Sequence, residues 1–249
     1  VRVTAVTGVS NIIRIAGSFI SAKVLAVIVG PVGVALLGQF TSGSALIYAF
    51  ATLSFNIGIV KLVAQAGKKD NESDLIISSA FKLTIISSVI VSLLVFFLAD
   101  YISIYLLKTE GYAAAIQTLA VTVLFYSINQ YMLSVTNALR LYAKFNLINI
   151  YSSLITLFIS VLMIYFYRIY GSLLAVSLAQ ILILFSTILI LKRQPWFSRL
   201  NLRTGIDKKI FYQLGTYSLM SFLSMFFGTM GQLQVRNQII EHCDPGLIN

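Results

Sequence analysis

Apolar residues come in seven helix-length runs separated by polar stretches: residues 4 to 29, 36 to 66, 75 to 99, 113 to 139, 147 to 167, 171 to 191 and 212 to 240. A hydrocarbon core about 30 Å thick takes roughly 20 apolar residues of helix. Lipid offers backbone groups no partners, which leaves helices and closed barrels as spanning structures. The runs lack the ten-residue alternation of barrel strands, so each predicts a spanning helix. The first exceeds the apolar core of a signal peptide and carries Arg14 inside it, which marks it as a retained helix. The fold class expected is an all-α integral membrane protein, a polytopic helical bundle.

Polar residues within the runs fall on stripes. At 100° per residue, Thr7, Asn11, Arg14, Ser18 and Ser21 share one face of the first predicted helix. Ser54, Gly58, Lys61 and Gln65 share a face of the second; Tyr126, Gln130, Ser134 and Asn137 of the fourth; Tyr217, Ser221, Ser224 and Gly228 of the seventh. Stripes of Ser, Gly and Tyr also serve close helix packing, where small residues admit a neighbouring backbone, and that reading is taken for the seventh. The first and second each include a cation, which favours a polar cavity.

Composition sharpens this picture. The chain has 249 residues, 58% of them hydrophobic and 10% charged, with a mean hydropathy of +0.91, against about 25% charged in soluble domains. The net charge of +10 is distributed unevenly. Arg2, Lys68, Lys69, Arg140, Lys144, Lys192, Arg193, Arg199, Arg203, Lys208 and Lys209 fall on one side of the alternating spans, and only Lys108 and Arg168 on the other. Cytoplasmic loops collect Lys and Arg, so the N-terminus is expected in the cytoplasm and the end of the seventh span outside. The basic excess is an orientation signal, and no nucleic-acid partner is expected.

Five cations remain inside the runs: Arg14, Lys23, Lys61, Lys82 and Arg236. Every acidic residue lies in a loop or at a span end, so the predicted interior is basic. A cation at a helix centre costs about 2.5–3.5 kcal/mol on insertion scales. Lys23 and Arg236 near the outer ends, and Lys61 and Lys82 near the inner ends, can snorkel to an interface. Arg14 cannot do so easily, lying ten residues, about 15 Å of helix, from the start of its run. Lys23, nine residues further on, points to the opposite face.

A cationic cavity without carboxylates suits an anionic guest, because the arginine fork bonds two phosphate oxygens at once. An exporter of organic cations, or a proton or sodium site, would want a carboxylate. An enzyme would want a positioned carboxylate or histidine, and no run contains either; the chain is read as a transporter with no catalytic residues. The single histidine and cysteine, His242 and Cys243, lie in the last eight residues and build neither a metal site nor an internal disulfide. No cofactor is expected.

The longest polar segment, 192–211, contains Pro195 and Trp196 and reads equally as an interfacial segment or a solvated loop. The expected organisation is a six-helix lobe over 1–191, a basic cytoplasmic or interfacial linker over 192–211, and the first helix of a second lobe over 212–249. With no initiating Met and a lone seventh helix, the sequence is expected to be a fragment of a longer protein.

AKVLAVIVGPVGVALLGQF (22–40) followed by GIVKLVAQ (58–65) resembles the N-terminal region of Wzx-type O-antigen and polysaccharide flippases, in the multidrug/oligosaccharidyl-lipid/polysaccharide exporter superfamily. NALRLYAKFNLINIYSSL (137–154) resembles their fourth-to-fifth helix junction and QVRNQIIEHCDPGLIN (234–249) the exit from helix seven. The resemblance implies about twelve helices in two lobes around a V-shaped cavity in the bacterial inner membrane. Its cargo would be an undecaprenyl-diphosphate-linked oligosaccharide, moved from the cytoplasmic to the periplasmic leaflet. Membrane lipids would be partners, as would polysaccharide polymerase machinery. Headgroup-binding cations would map onto Arg14 and Lys61, with Lys23 and Arg140 as further candidates. Thr7, Asn11, Ser18, Ser21, Ser54, Gln65, Gln130 and Asn137 would line the cavity. The alternatives are a drug or toxin exporter of the same fold, or a polytopic polymerase or glycosyltransferase acting on the same lipid.

Overall fold

The computed structural model describes residues 2–66, 70–198 and 208–242. In chain order they form α1 (Arg2–Ile28), α2 (Pro31–Thr52), α3 (Phe55–Ala66), α4 (Asp70–Phe97), α5 (Ala99–Leu107), a 3-10 turn (Glu110–Tyr112), α6 (Ala113–Ala138), α7 (Tyr142–Leu191), the single turn α8 (Pro195–Ser198) and α9 (Lys208–His242). Among the described residues, five helices are long and apolar enough to cross a membrane: Ser10–Ile28, Pro31–Thr52, Glu72–Phe97, Ala113–Ala138 and Tyr142–Leu191. The chain is an all-α, multi-pass membrane protein. The predicted seventh span is a 35-residue helix, α9, but Gln213, Gln232, Gln234 and Gln238 make it more polar than the rest.

The 50 residues of α7 would extend about 75 Å if straight, far more than one hydrocarbon core. The helix is interrupted at Arg168, with φ 50° and ψ −126°, so the predicted spans 147–167 and 171–191 are its two arms. The reversal is tight. Gly171 lies against the carbonyl of Met163, so close that a Cβ there would collide with that backbone oxygen. A straight helix would hold these two residues about 12 Å apart.

The second predicted span is broken. Leu53 and Ser54 adopt left-handed conformations, φ 46° and 51°, which end α2 and start α3 as separate segments. Hydroxyls satisfy the freed backbone groups. Thr52 Oγ1 donates to the Tyr48 carbonyl at 2.9 Å and accepts from the Ser54 N–H at 3.4 Å. Ser87 of α4 donates to the Ala51 carbonyl at 2.6 Å. At the other end of α2 the expected outer turn is two residues, Val29 and Gly30, the latter at φ 86°, after which Pro31 opens the helix with its preset φ.

The break coincides with a division of the core. On one side, Phe40, Leu46, Tyr48 and Ala51 of α2 pack with Leu106 and Leu107 of α5, Ile116, Leu119 and Val123 of α6, and Leu173 of α7. On the other, Phe55, Ile59, Leu62 and Val63 of α3 pack with Ile77 and Ala80 of α4, Tyr131 and Val135 of α6, Leu191 of α7 and Leu214 of α9. Because lipid tails are as apolar as Leu, interhelical hydrogen bonds and close packing supply the specificity. Tyr131 donates to the Ile77 carbonyl at 2.9 Å, Ser92 to the Ala120 carbonyl at 2.7 Å, and Thr187 to Asn129 Oδ1 at 2.7 Å.

Three expectations are revised. Trp196 of the basic segment faces neither headgroups nor water: it is 6% exposed and closes the second core against Phe197. Lys82 lies near the middle of α4, half-buried, because that helix begins at Asp70 rather than residue 75. The short α5 was not anticipated; it buries Leu106 and Leu107 and exposes the stacked pair Tyr101 and Tyr105. Lys68, Lys69, Arg199, Arg203 and Cys243 lie outside the described residues, as do the side chains of Arg2, Arg236 and His242.

Gly171→Val should lower the thermal midpoint of the detergent-solubilised protein, at a cost of about 1–3 kcal/mol from overpacking against an immovable carbonyl. An unchanged midpoint would show that the reversal tolerates a side chain.

Candidate functional site

A cavity of about 720 Å³ lies between α1, α3, α6 and the first arm of α7. Arg14 enters it from α1; Asn56, Lys61 and Gln65 from α3; Gln130, Ser134 and Asn137 from α6; and Phe145 and Asn149 from α7. Among the described residues, none of those lining it is acidic. The Leu53–Ser54 break sets α3 apart from α2, and α3 contributes Asn56, Lys61 and Gln65 to the wall, while Gly58 meets α9. A Cβ on Gly58 would lie 3.1 Å from Leu214 Cδ2 and 3.2 Å from Ser218 Oγ. Glycine thus lets α9 approach closely beside the cavity.

That approach brings the Tyr217 ring under Lys61, whose Nζ lies 3.9 Å from the ring centroid. The negative face of the ring stabilises the ammonium without neutralising it. Ser134 Oγ donates to the Gln130 carbonyl at 2.8 Å and lies 3.2 Å from Asn56 Oδ1, fixing the amide at the wall. The site pairs two cations with five side-chain amides, Asn56, Gln65, Gln130, Asn137 and Asn149.

A second cavity, of about 440 Å³, shares Arg14 and Asn149 with the first and extends between α1, α2 and α7 past Ser18 and Ser21. A third, of about 480 Å³, lies between α2, α5 and α9; it is mainly apolar, lined by Leu46, Ile47, Phe50, Tyr101 and Met230 among others.

The structure therefore brings Arg14, Lys61, Gln65, Gln130 and Asn137 to one cavity and Ser18 and Ser21 to its extension. It places the other candidates elsewhere. Thr7 accepts from Asn146 Nδ2 at 3.0 Å in the α1–α7 contact. Asn11 and Lys23 are exposed on α1 and line neither cavity. Ser54 is buried in the break. Arg140 occupies the turn between α6 and α7 at φ 57°, its N–H bonded to the Asn137 carbonyl at 3.0 Å. Asn56 and Asn149 were missed. Asn149, Ser152, Ser153, Thr156 and Ser160 repeat at helical spacing, the signal that singled out α1.

The family described as polysaccharide biosynthesis protein matches residues 16–236. The chain belongs to this family. Among solved structures, a MOP superfamily transporter from Pyrococcus furiosus aligns with a TM-score of 0.73 at 17% identity, over 90% of this chain and 52% of that one. The likeness is one of fold, and the chain spans about half the length of that protein. No curated protein matches it. In this member of the polysaccharide biosynthesis family, the matched residues form the cavity apart from Arg14, which lies two residues before them.

With Cys243 replaced by serine, Gln65→Cys and Gln130→Cys should react with a water-soluble thiol reagent in intact membranes, and Phe19→Cys, on the exposed apolar face of α1, should not. Equal protection of all three would mean that the cavity is dry.

Proposed function

We propose that the chain is part of a flippase that carries an undecaprenyl-diphosphate-linked oligosaccharide, such as an O-antigen unit, from the cytoplasmic to the periplasmic leaflet. The observation that carries this reading is the pairing of Arg14 and Lys61 on one amide-rich cavity that no carboxylate lines among the described residues. Such a site would hold the diphosphate, the guanidinium by two oxygens at once. Membership in a polysaccharide biosynthesis family supports a sugar-bearing cargo, and the shared fold with a MOP superfamily transporter supports movement rather than chemistry. A cavity of this sign would repel an organic cation, which counts against the drug-exporter alternative.

Residues 1–191 would form one six-helix lobe, 192–211 a linker and 212–249 the start of a second lobe. Rocking of the lobes around the cavity would give alternating access. The basic loops would face the cytoplasm of the inner membrane. The cavity, beside the close of α3 and α6 and the start of α7, would then open towards the cytoplasm, where the cargo is made.

In the complete protein, Arg14→Ala should leave expression intact and cut transport of the lipid-linked oligosaccharide by about tenfold or more, as expected for loss of a charged hydrogen-bonded contact. Arg14→Lys should keep part of the activity. Normal transport by Arg14→Glu would overturn the proposal.

A further inference from the structure

We infer that the second cavity is a carbohydrate chamber, holding the sugar next to the diphosphate and selecting for it. This rests on the flippase reading and adds a division of labour to it. The chamber is lined by Ser18, Ser21, Thr41, Ser152, Thr156 and Ser160, among others, and communicates with the first cavity at Arg14 and Asn149.

The hydrogen bonds decide what it can hold. Ser18 donates to the Arg14 carbonyl at 3.0 Å, Thr41 to the Gly38 carbonyl at 3.0 Å and Ser153 to the Asn149 carbonyl at 2.9 Å. Each hydroxyl proton is thereby used within its own helix, so the oxygen offers the chamber lone pairs. Ser152 Oγ is buried with no hydrogen-bond partner among the described residues, a costly state for a polar atom that a guest would relieve. The wall thus offers acceptors at Ser18, Thr41 and Ser153 and both a donor and an acceptor at Ser152. A phosphate, itself all acceptors, finds one charged donor there, Arg14, and belongs at the junction. A metal or organic cation would meet the Arg14 charge. A hydrocarbon tail would leave Ser152 unsatisfied. A neutral molecule dense in O–H donors fits, and at 440 Å³ the space lies within the range of small-molecule sites, about 300–1,000 Å³. With the diphosphate on Arg14, the first sugar ring would enter between α1 and α7.

The test compares two lipids on the complete protein in nanodiscs: undecaprenyl diphosphate alone, and the same lipid carrying its oligosaccharide. The triple variant Ser152→Ala, Thr156→Val, Ser160→Ala should bind the bare lipid within about twofold of the parent and the sugar-bearing lipid about tenfold more weakly, as expected for several lost hydrogen bonds. Restoring Thr156 as serine should recover part of the loss. If the triple variant does not fold, Ser152→Ala alone carries the comparison, with a smaller selective loss expected. Equal weakening towards both lipids, or no change towards either, would overturn the chamber while leaving the flippase reading intact. A parent protein that binds neither lipid would overturn that reading, and the chamber with it.

Discussion

Inside hydrocarbon a backbone N–H or C=O without a partner costs several kcal/mol, and this constraint orders the molecule. It forces the chain into helices and makes each interruption conspicuous, because something else has to take over the freed groups. At Leu53–Ser54 the replacements are Thr52 and Ser87, which engage the Tyr48 and Ala51 carbonyls. At Arg168 the chain turns back so tightly that only glycine fits three residues later. The first interruption has the larger effect on the site. It separates a helix committed to one half of the core from a shorter one committed to the other, and the shorter one carries Asn56, Lys61 and Gln65 to the cavity.

Two further contacts hold that short helix in place. Gly58 admits α9, and α9 returns Tyr217 to lie under Lys61. The aromatic pairs Phe50–Phe222 and Phe50–Phe226, at 5.0 and 6.1 Å, tie α9 to α2 across the break. On the opposite wall, Asn146 bonded to Thr7 fixes α1 against α7, which sets where Arg14 emerges. Arg14 is thus positioned by a contact made through other residues, and Lys61 by its own contact with Tyr217; both line the cavity.

Much of this was legible in the sequence, for identifiable reasons. Apolar runs of spanning length read directly as helices, since lipid leaves few alternatives. Arg14, Gln130 and Asn137 lie on unbroken helices, where counting 100° per residue is reliable, and their stripes lead to a common cavity. The same count failed for Ser54, because rotation does not carry through two left-handed residues, and nothing in the pair Leu-Ser announces a break as a glycine or proline would. Trp196 was misread because aromatic and basic neighbours suggest an interface, whereas it joins a core cluster built from helices spread along the chain. Arg140 and Lys23 show the limit of charge alone: both are cations on helices or turns beside the site, and neither points into it. Asn149 was visible in principle, on a polar stripe that lacked a charge to attract notice.

The contact between Lys61 and Tyr217 also bears on how fast a guest can come and go. A carboxylate in that position would compete with an arriving phosphate and reclaim the cation as the phosphate left, so every cycle would exchange one ion pair for another. An aromatic face has no such claim: it lowers the penalty of the empty state while the ammonium stays available to any anion that reaches it. On the proposed reading, loading an anion would move the cation-lined cavity towards neutrality. Occupancy would then be recorded as a change in net charge within the bilayer, on which a transmembrane voltage acts directly.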